Sequence, residues 1–356
     1  MKTLLAALLL AATLQAHAAP PKEPLVVVSY QRMLSPEVCA AFEKQTGIPV
    51  RLETPRNQFE AYRRFAVGGD FDVSLLSADW NQAVLLAGGL APLNKALLPN
   101  IRNIDPGWLG AKPDRSNKFI LPHRASVLGI LINKKIPQPP ASSVESLLGS
   151  PRPGGTACFV PATSLCGAVL LALGATPGAE FPDTIRASRP IWLKWISNMS
   201  PDSLATESDP IVGIPALKSS FLSGGEAAAL LWSGDAALIL REAPNRFEWT
   251  TPPAPALTLD VDAGISASSS RTADAHAFIN FLFDPETVRI LVDQYPALHT
   301  LKRSILPQPM PEGMPTAELI KAAQDTAPMM NLTRPRVDRL ESFIATLPAP
   351  GSNLKK

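Results

Sequence analysis

The residues of this chain whose types suit molecular recognition are aromatic rings and carboxylates set at the ends of short apolar runs. Tyr30 closes one such run, Ser77, Asp79 and Trp80 follow another, and Trp232 and Asp235 follow a third; Asp260 and Asp262 lie within a fourth, and Tyr295 follows a late helical stretch. Carboxylates pair with positive charge, and ring faces cover methylenes and hold cations, so this is equipment for reversible binding. Bond-making chemistry lacks its usual arrangements: there is no Gly-x-Ser-x-Gly elbow, His-Glu-x-x-His helix, Walker loop or Cys-x-x-Cys pair. Of the 4 His, His17 lies in the leader, which leaves His123, His276 and His299 scattered. No catalytic residue, metal or cofactor is expected.

A chain of 356 residues has room for two domains, or one large α/β unit, to hold these groups. With 46% hydrophobic and 18% charged residues it can bury a sizeable core, which excludes general disorder. A net charge of +2 provides no global field for nucleic acid or an anionic membrane, so neither is expected as a partner. The 3 Cys are too few for a disulfide scaffold, and the 37 Pro imply many fixed loops and element ends.

Residues 1–18 read as a cleaved secretory signal. Lys2 precedes an apolar run over residues 4–14, and Ala16-His17-Ala18 offers the small residues a signal peptidase needs. The run falls short of the roughly 20 apolar residues that span a bilayer core, and no Cys stands at the cleavage point for lipid attachment. A soluble, monomeric, periplasmic protein is the expectation.

The positioning elements follow from pattern. Residues 25–30 form a β-branched run without alternation, a buried strand. Ser35, Pro36 and Glu37 open a helix that Gly47 stops. A strand is expected at 48–53, a helix at 58–67 and a strand at 71–76, an order that implies a mostly parallel sheet covered on both faces. Beyond a strand at 128–132 comes the Pro-rich linker 136–140, with the first crossing between lobes near Asn133. Further strands are expected at 157–160, 227–232 and 257–265, the last returning to the first lobe. Helices are expected at 142–148, 168–173, 190–197, 234–241 and 273–283, with another opened by Asp284-Pro285-Glu286. Trp192 and Trp195 read as core. The tail carries helices at 317–324 and 336–345.

Several of these segments together resemble a known family. Residues 27–52, with Phe42-Glu43-Lys44-Gln45-Thr46-Gly47-Ile48-Pro49-Val50 inside them, resemble the opening of a type II periplasmic solute-binding protein of an ABC importer. Five further segments resemble the spermidine/putrescine-binding branch. They are Phe71-Asp72-Val73 with Ser77; Leu93-Asn94-Lys95 with Asn103-Ile104-Asp105-Pro106; residues 122–133; Leu231-Trp232-Ser233-Gly234-Asp235-Ala236; and Ile279-Asn280-Phe281-Leu282 with Asp284-Pro285-Glu286 and Tyr295-Pro296. The resemblance covers residues 25–305. It implies an α/β, two-lobed periplasmic-binding-protein fold with a hinge, a first lobe of residues 25–133 and 256–305, a second of 134–255, and a tail, 306–356, packed on the second. It also implies a polyamine-like amine held in the cleft by Tyr30, Ser77, Asp79, Trp80, Trp232, Asp235, Asp262 and Tyr295, and delivery to an inner-membrane ABC permease.

Blander roles stand beside these. Trp232 also fits a core ring beneath a helix start, Asp235 a first-turn carboxylate, Asp79 and Trp80 a capped helix start, and Tyr30 and Tyr295 ordinary packing. The sequence departs from the branch where acidic residues are usual after the first second-lobe strand, because residues 160–166 contain no carboxylate. His123 and Arg124 follow Pro122, and Arg32 lies near Tyr30, so a neutral or anionic solute, or a sensor partner that docks through the tail, stays open; Arg124 as a solvated surface residue is the plainer reading. Cys158 and Cys166 are close enough in sequence for a disulfide in an oxidising compartment, and Cys39 reads as a buried thiol.

Overall fold

The computed structural model describes residues 23–30, 33–55, 60–61, 64, 70–110, 113–160, 162–175, 181–201, 203, 221–223, 225–252, 257–306 and 334–350. The leader at 1–18 and the helix expected at 317–324 lie outside the described residues, as does most of the one expected at 58–67.

Strands and helices alternate at first as β1 (Leu25–Ser29), α1 (Pro36–Thr46), β2 (Val50–Glu53), β3 (Val73–Ser77) and α2 (Ala78–Leu86). The long β4 (Ile120–Asn133) leads to α3 (Val144–Leu148), β5 (Thr156–Cys158), α4 (Ala162–Ala172), α5 (Phe181–Ala187) and α6 (Arg189–Asn198). Then come β6 (Ala228–Trp232), α7 (Ser233–Glu242) and β7 (Phe247–Thr250). Finally β8 (Thr258–Ile265) is followed by α8 (Thr272–Leu282), α9 (Pro285–Gln294), β9 (Leu298–His299) and α10 (Arg334–Ile344). Local chemistry explains α1: Ser35 Oγ accepts from Val38 N, Pro36 occupies the first turn, and Gly47 ends the helix at a φ of 66°.

β1 pairs in parallel with β2 and β3, and β5 in parallel with β6. Between these flanks the pairing is antiparallel: β3 with β8, β8 with β4, and β4 with β6, β7 and β9. The two-lobed α/β expectation holds, but within it the pairing is mixed rather than mostly parallel. The chain leaves one lobe and returns through two long strands that run in opposite senses, which puts antiparallel ladders at the centre.

Two main clusters of buried side chains mark the lobes. One gathers Val27, Phe42, Leu75, Leu121, Ala125, Val261, Phe278 and Leu291. The other gathers Leu128, Ile130, Trp192, Trp195, Leu230, Trp232 and Leu257. The change therefore falls inside β4, between Ala125 and Leu128, and at the start of β8, between Leu257 and Val261. There the two strands run side by side from Ile120 opposite Gly264 to Val127 opposite Thr258, forming the connection between lobes. The register slips between Pro122 and Arg124, where proline has no N–H to give the ladder.

The described part of the tail is tied to the second lobe. Leu340 of α10 is fully buried in that lobe's cluster, Phe343 meets Trp192 edge to face at 6.0 Å, and Arg189 Nη1 donates to Thr346 Oγ1 at 2.8 Å. The expected Cys158–Cys166 bridge is not formed. Cys158 ends β5 and Cys166 is held within α4 rather than in a loop, and both remain buried thiols, as does Cys39 on α1. Burial pushes the Cys158 thiol up to about 12 and the Cys39 thiol up to about 11. Among the described residues no helix is long and apolar enough to cross a membrane.

Candidate functional site

The parallel strands of the first lobe deliver Tyr30 and Ser77 at their carboxyl ends. Tyr30 Oη and Ser77 Oγ share a hydrogen bond of 3.2 Å, and the same Ser77 Oγ accepts from Trp80 N at 3.4 Å, capping α2. One serine thus fixes both the phenol and the helix start. Asp79 lies in the first turn of that helix, where the dipole favours a carboxylate. Trp80 is a core residue: it is 2% exposed and packs edge to face on Phe71 at 6.0 Å. The capped helix start accounts for its position.

In the second lobe, Trp232 ends β6 and occupies the cap position of α7 without supplying a capping oxygen, with its ring in the lobe core. Asp235 follows in the first turn of α7, 3% exposed. Ser233 Oγ accepts from Val127 N of β4 at 3.2 Å and anchors the helix start to the connecting strand. Gly234 is required by close approach: a Cβ there would meet Tyr295 Cζ at 2.6 Å and Oη at 2.7 Å. Tyr295 caps α9 and belongs to the first lobe's core, so its ring crosses to the second lobe and covers the helix start beside Asp235. Arg241 Nη1 donates to Asp293 O at 2.9 Å, a second tie between α7 and α9. The structure thus brings Trp232, Asp235 and Tyr295 to one place, and Tyr30, Ser77 and Asp79 to another.

Asp262 stands on β8, one of the connecting strands. Burial, and then the neighbouring charges of Asp260 and Asp114, hold its carboxyl well above the usual range. Its Oδ2 has no hydrogen-bond partner among the described residues. Asn81 Nδ2 donates to Leu76 O at 3.0 Å and to Asp262 O at 3.3 Å, which locks α2 to this strand.

The feature that the sequence reading undervalued is Arg124. It is 1% exposed, not a solvated head, and among the described residues Nε, Nη1 and Nη2 have no hydrogen-bond partner. Burial pulls its pKa down to about 9, opposed by Tyr295, so the guanidinium still carries its charge at neutral pH. His123 precedes it and His299 lies opposite it on β9, with the two imidazoles edge to face at 5.4 Å. Burial first, and Arg124 second, hold both rings well below their ordinary values and hence neutral. A signal was available: His123 and Arg124 stand directly before Ala125-Ser126-Val127, and together with residues 128–133 these form one uninterrupted buried strand.

Two lobes joined by paired strands, with aromatic and acidic side chains meeting at strand ends and helix starts between them, define a two-lobed solute-binding protein. The chain belongs to the bacterial extracellular solute-binding protein family, whose model matches residues 37–312. It is 26% identical over 290 residues to spermidine/putrescine-binding periplasmic protein 1 of Haemophilus influenzae, covering 79% of this chain and 77% of that one. It is 26% identical over 298 residues to the putrescine-binding periplasmic protein PotF of Escherichia coli, covering 76% of each. Its fold is similar to the crystal structure of the spermidine/putrescine ABC transporter substrate-binding protein PotD from Streptococcus pneumoniae. The TM-score is 0.67 at 19% identity, over 91% of this chain and 99% of that one. The protein is thus a periplasmic binding protein of this family, and not an enzyme.

Proposed function

We propose that this protein captures a small amine of the putrescine or spermidine kind between its lobes and delivers it to an inner-membrane ABC permease, acting as a monomer. The observation that carries the reading is the start of α7, where Trp232 and Asp235 stand together under Tyr295 from the opposite lobe. Asp235 pairs the ammonium, Trp232 lies along the methylenes, and Tyr295 closes over them when the lobes meet. Tyr30, Ser77 and Asp79 face the solute from the first lobe, with Asp262 on the connecting strand. The lobes of this reading are residues 25–133 with 256–305, and 134–255, with 306–356 as the tail. The names of the relatives, which bind putrescine and spermidine, support the amine. Calorimetry with putrescine tests it. A charge-assisted contact is worth about 1.5–3 kcal/mol, so Asp235→Ala should weaken binding roughly ten- to a hundredfold, and Trp232→Ala by at least as much. Unchanged amine affinity in Asp235→Ala would remove this carboxylate from the site.

A further inference from the structure

The amine reading leaves one buried charge unused. A guanidinium carries five donors in a rigid fork, and taking it out of water is unfavourable unless a partner completes it. Arg124 is 1% exposed, and none of its three nitrogens has a partner among the described residues. Tyr295 acts on it, and it acts in turn on His123 and His299. Both ring nitrogens of His123 and Nε2 of His299 are likewise without partners, so further polar atoms stand idle beside the cation.

Position gives this cluster its meaning. Arg124 adjoins Ala125, the last β4 residue of the first lobe's core, just before the strand passes to the second lobe at Leu128. Tyr295, which acts on Arg124, also lies against Gly234 at the start of α7, next to Asp235. Tyr295 is therefore the residue shared by the buried cation and the helix start that carries the carboxylate assigned to the ammonium. A diamine would bring a second positive charge toward it, and the stretch 160–166 has no carboxylate to draw that charge elsewhere.

We infer that Arg124 receives a carboxylate of the captured solute, so that the solute is an amino-carboxylate, with an ammonium at one end and a carboxylate at the other. The ammonium half of this inference rests on the amine reading, and the carboxylate half on Arg124. A guanidinium fork takes a carboxylate in two parallel hydrogen bonds, which supplies the missing partner in one step.

The test is calorimetry of the exported protein with putrescine, 4-aminobutyrate, 5-aminovalerate and succinate, on the wild type, Arg124→Met and Arg124→Lys. Methionine fills the space and removes an unpaired buried charge, so Arg124→Met should melt no lower than the wild type. An amino-carboxylate should bind the wild type more tightly than putrescine does. Arg124→Met should weaken it by roughly thirtyfold or more and leave putrescine unchanged or tighter, with Arg124→Lys in between. Putrescine preferred by the wild type, with neither amino-carboxylate bound, would overturn the inference and leave the amine reading standing. Succinate alone bound, in an Arg124-dependent way, would overturn the amine reading and the amino part of the inference together. Binding of none of the four would overturn both.

Discussion

Replacing Gly234 with alanine pits two physical effects of opposite sign against each other. On helix propensity alone the change should stabilise α7, by up to about 1 kcal/mol. The structure reverses the sign. The added Cβ would stand 2.6 Å from Tyr295 Cζ, 2.7 Å from Oη and 2.8 Å from Cε1, well inside contact distance. The Tyr295 ring, 2% exposed, would have to retreat by about 1 Å, and overpacking of this kind destabilises by about 1–3 kcal/mol. Gly234→Ala should therefore lower stability in denaturant titration and weaken solute binding, because the ring that moves is the one covering the helix start beside Asp235. In a Tyr295→Ala background the clash is gone, and the same substitution should become neutral or stabilising. The double-mutant cycle should return a coupling of about 1 kcal/mol or more. A stabilising Gly234→Ala in the wild-type background would refute the seating of Tyr295 across the lobes.

Two further outcomes follow from buried titratable groups. Asp262 has its folded pKa raised by burial, so its proton contributes stability that is fully present below the unfolded value of about 3.9 and is lost as pH rises toward the folded value. Asp262→Asn, which cannot ionise, should gain on the wild type as pH rises from 4 to 8; an equal difference at both pH values would contradict the raised pKa of the buried carboxyl. The unfolded, unreduced protein should titrate with three thiols, one each from Cys39, Cys158 and Cys166, whereas the native protein resists labelling because all three are buried; a count of one would restore the Cys158–Cys166 bridge.

Much of the fold was legible because local chemistry and burial agreed. The unalternating runs at β1 and β3 are strands buried on both faces, and α1 begins and ends where Ser35 and Gly47 require. The order Trp232-Ser233-Gly234-Asp235 marks the change from β6 to α7 at the residue. What was illegible depended on partners far along the chain. β9 is two residues long and exists because β4 lies beside it, and β7 likewise has its place on β4. α4 begins at Ala162, so Cys166 is turned into a helix core where a loop was expected. Arg124 read as solvated because a long charged side chain usually keeps its head in water; the apolar run after it hinted at burial, and the neighbouring strands β8 and β9 enclose it. Trp80 and Trp232 are both buried near strand ends, the first against Phe71 and the second in the second lobe's core, neighbours that no spacing could name.

The most direct test of the central claim is a crystal structure of the protein with its preferred amine bound. The solute should lie between the lobes, its nitrogen about 3 Å from the Asp235 carboxylate and its methylenes along Trp232, with Tyr295 closing over both. A solute bound outside the cleft, or one in the cleft that leaves Asp235 and Trp232 untouched, would contradict it.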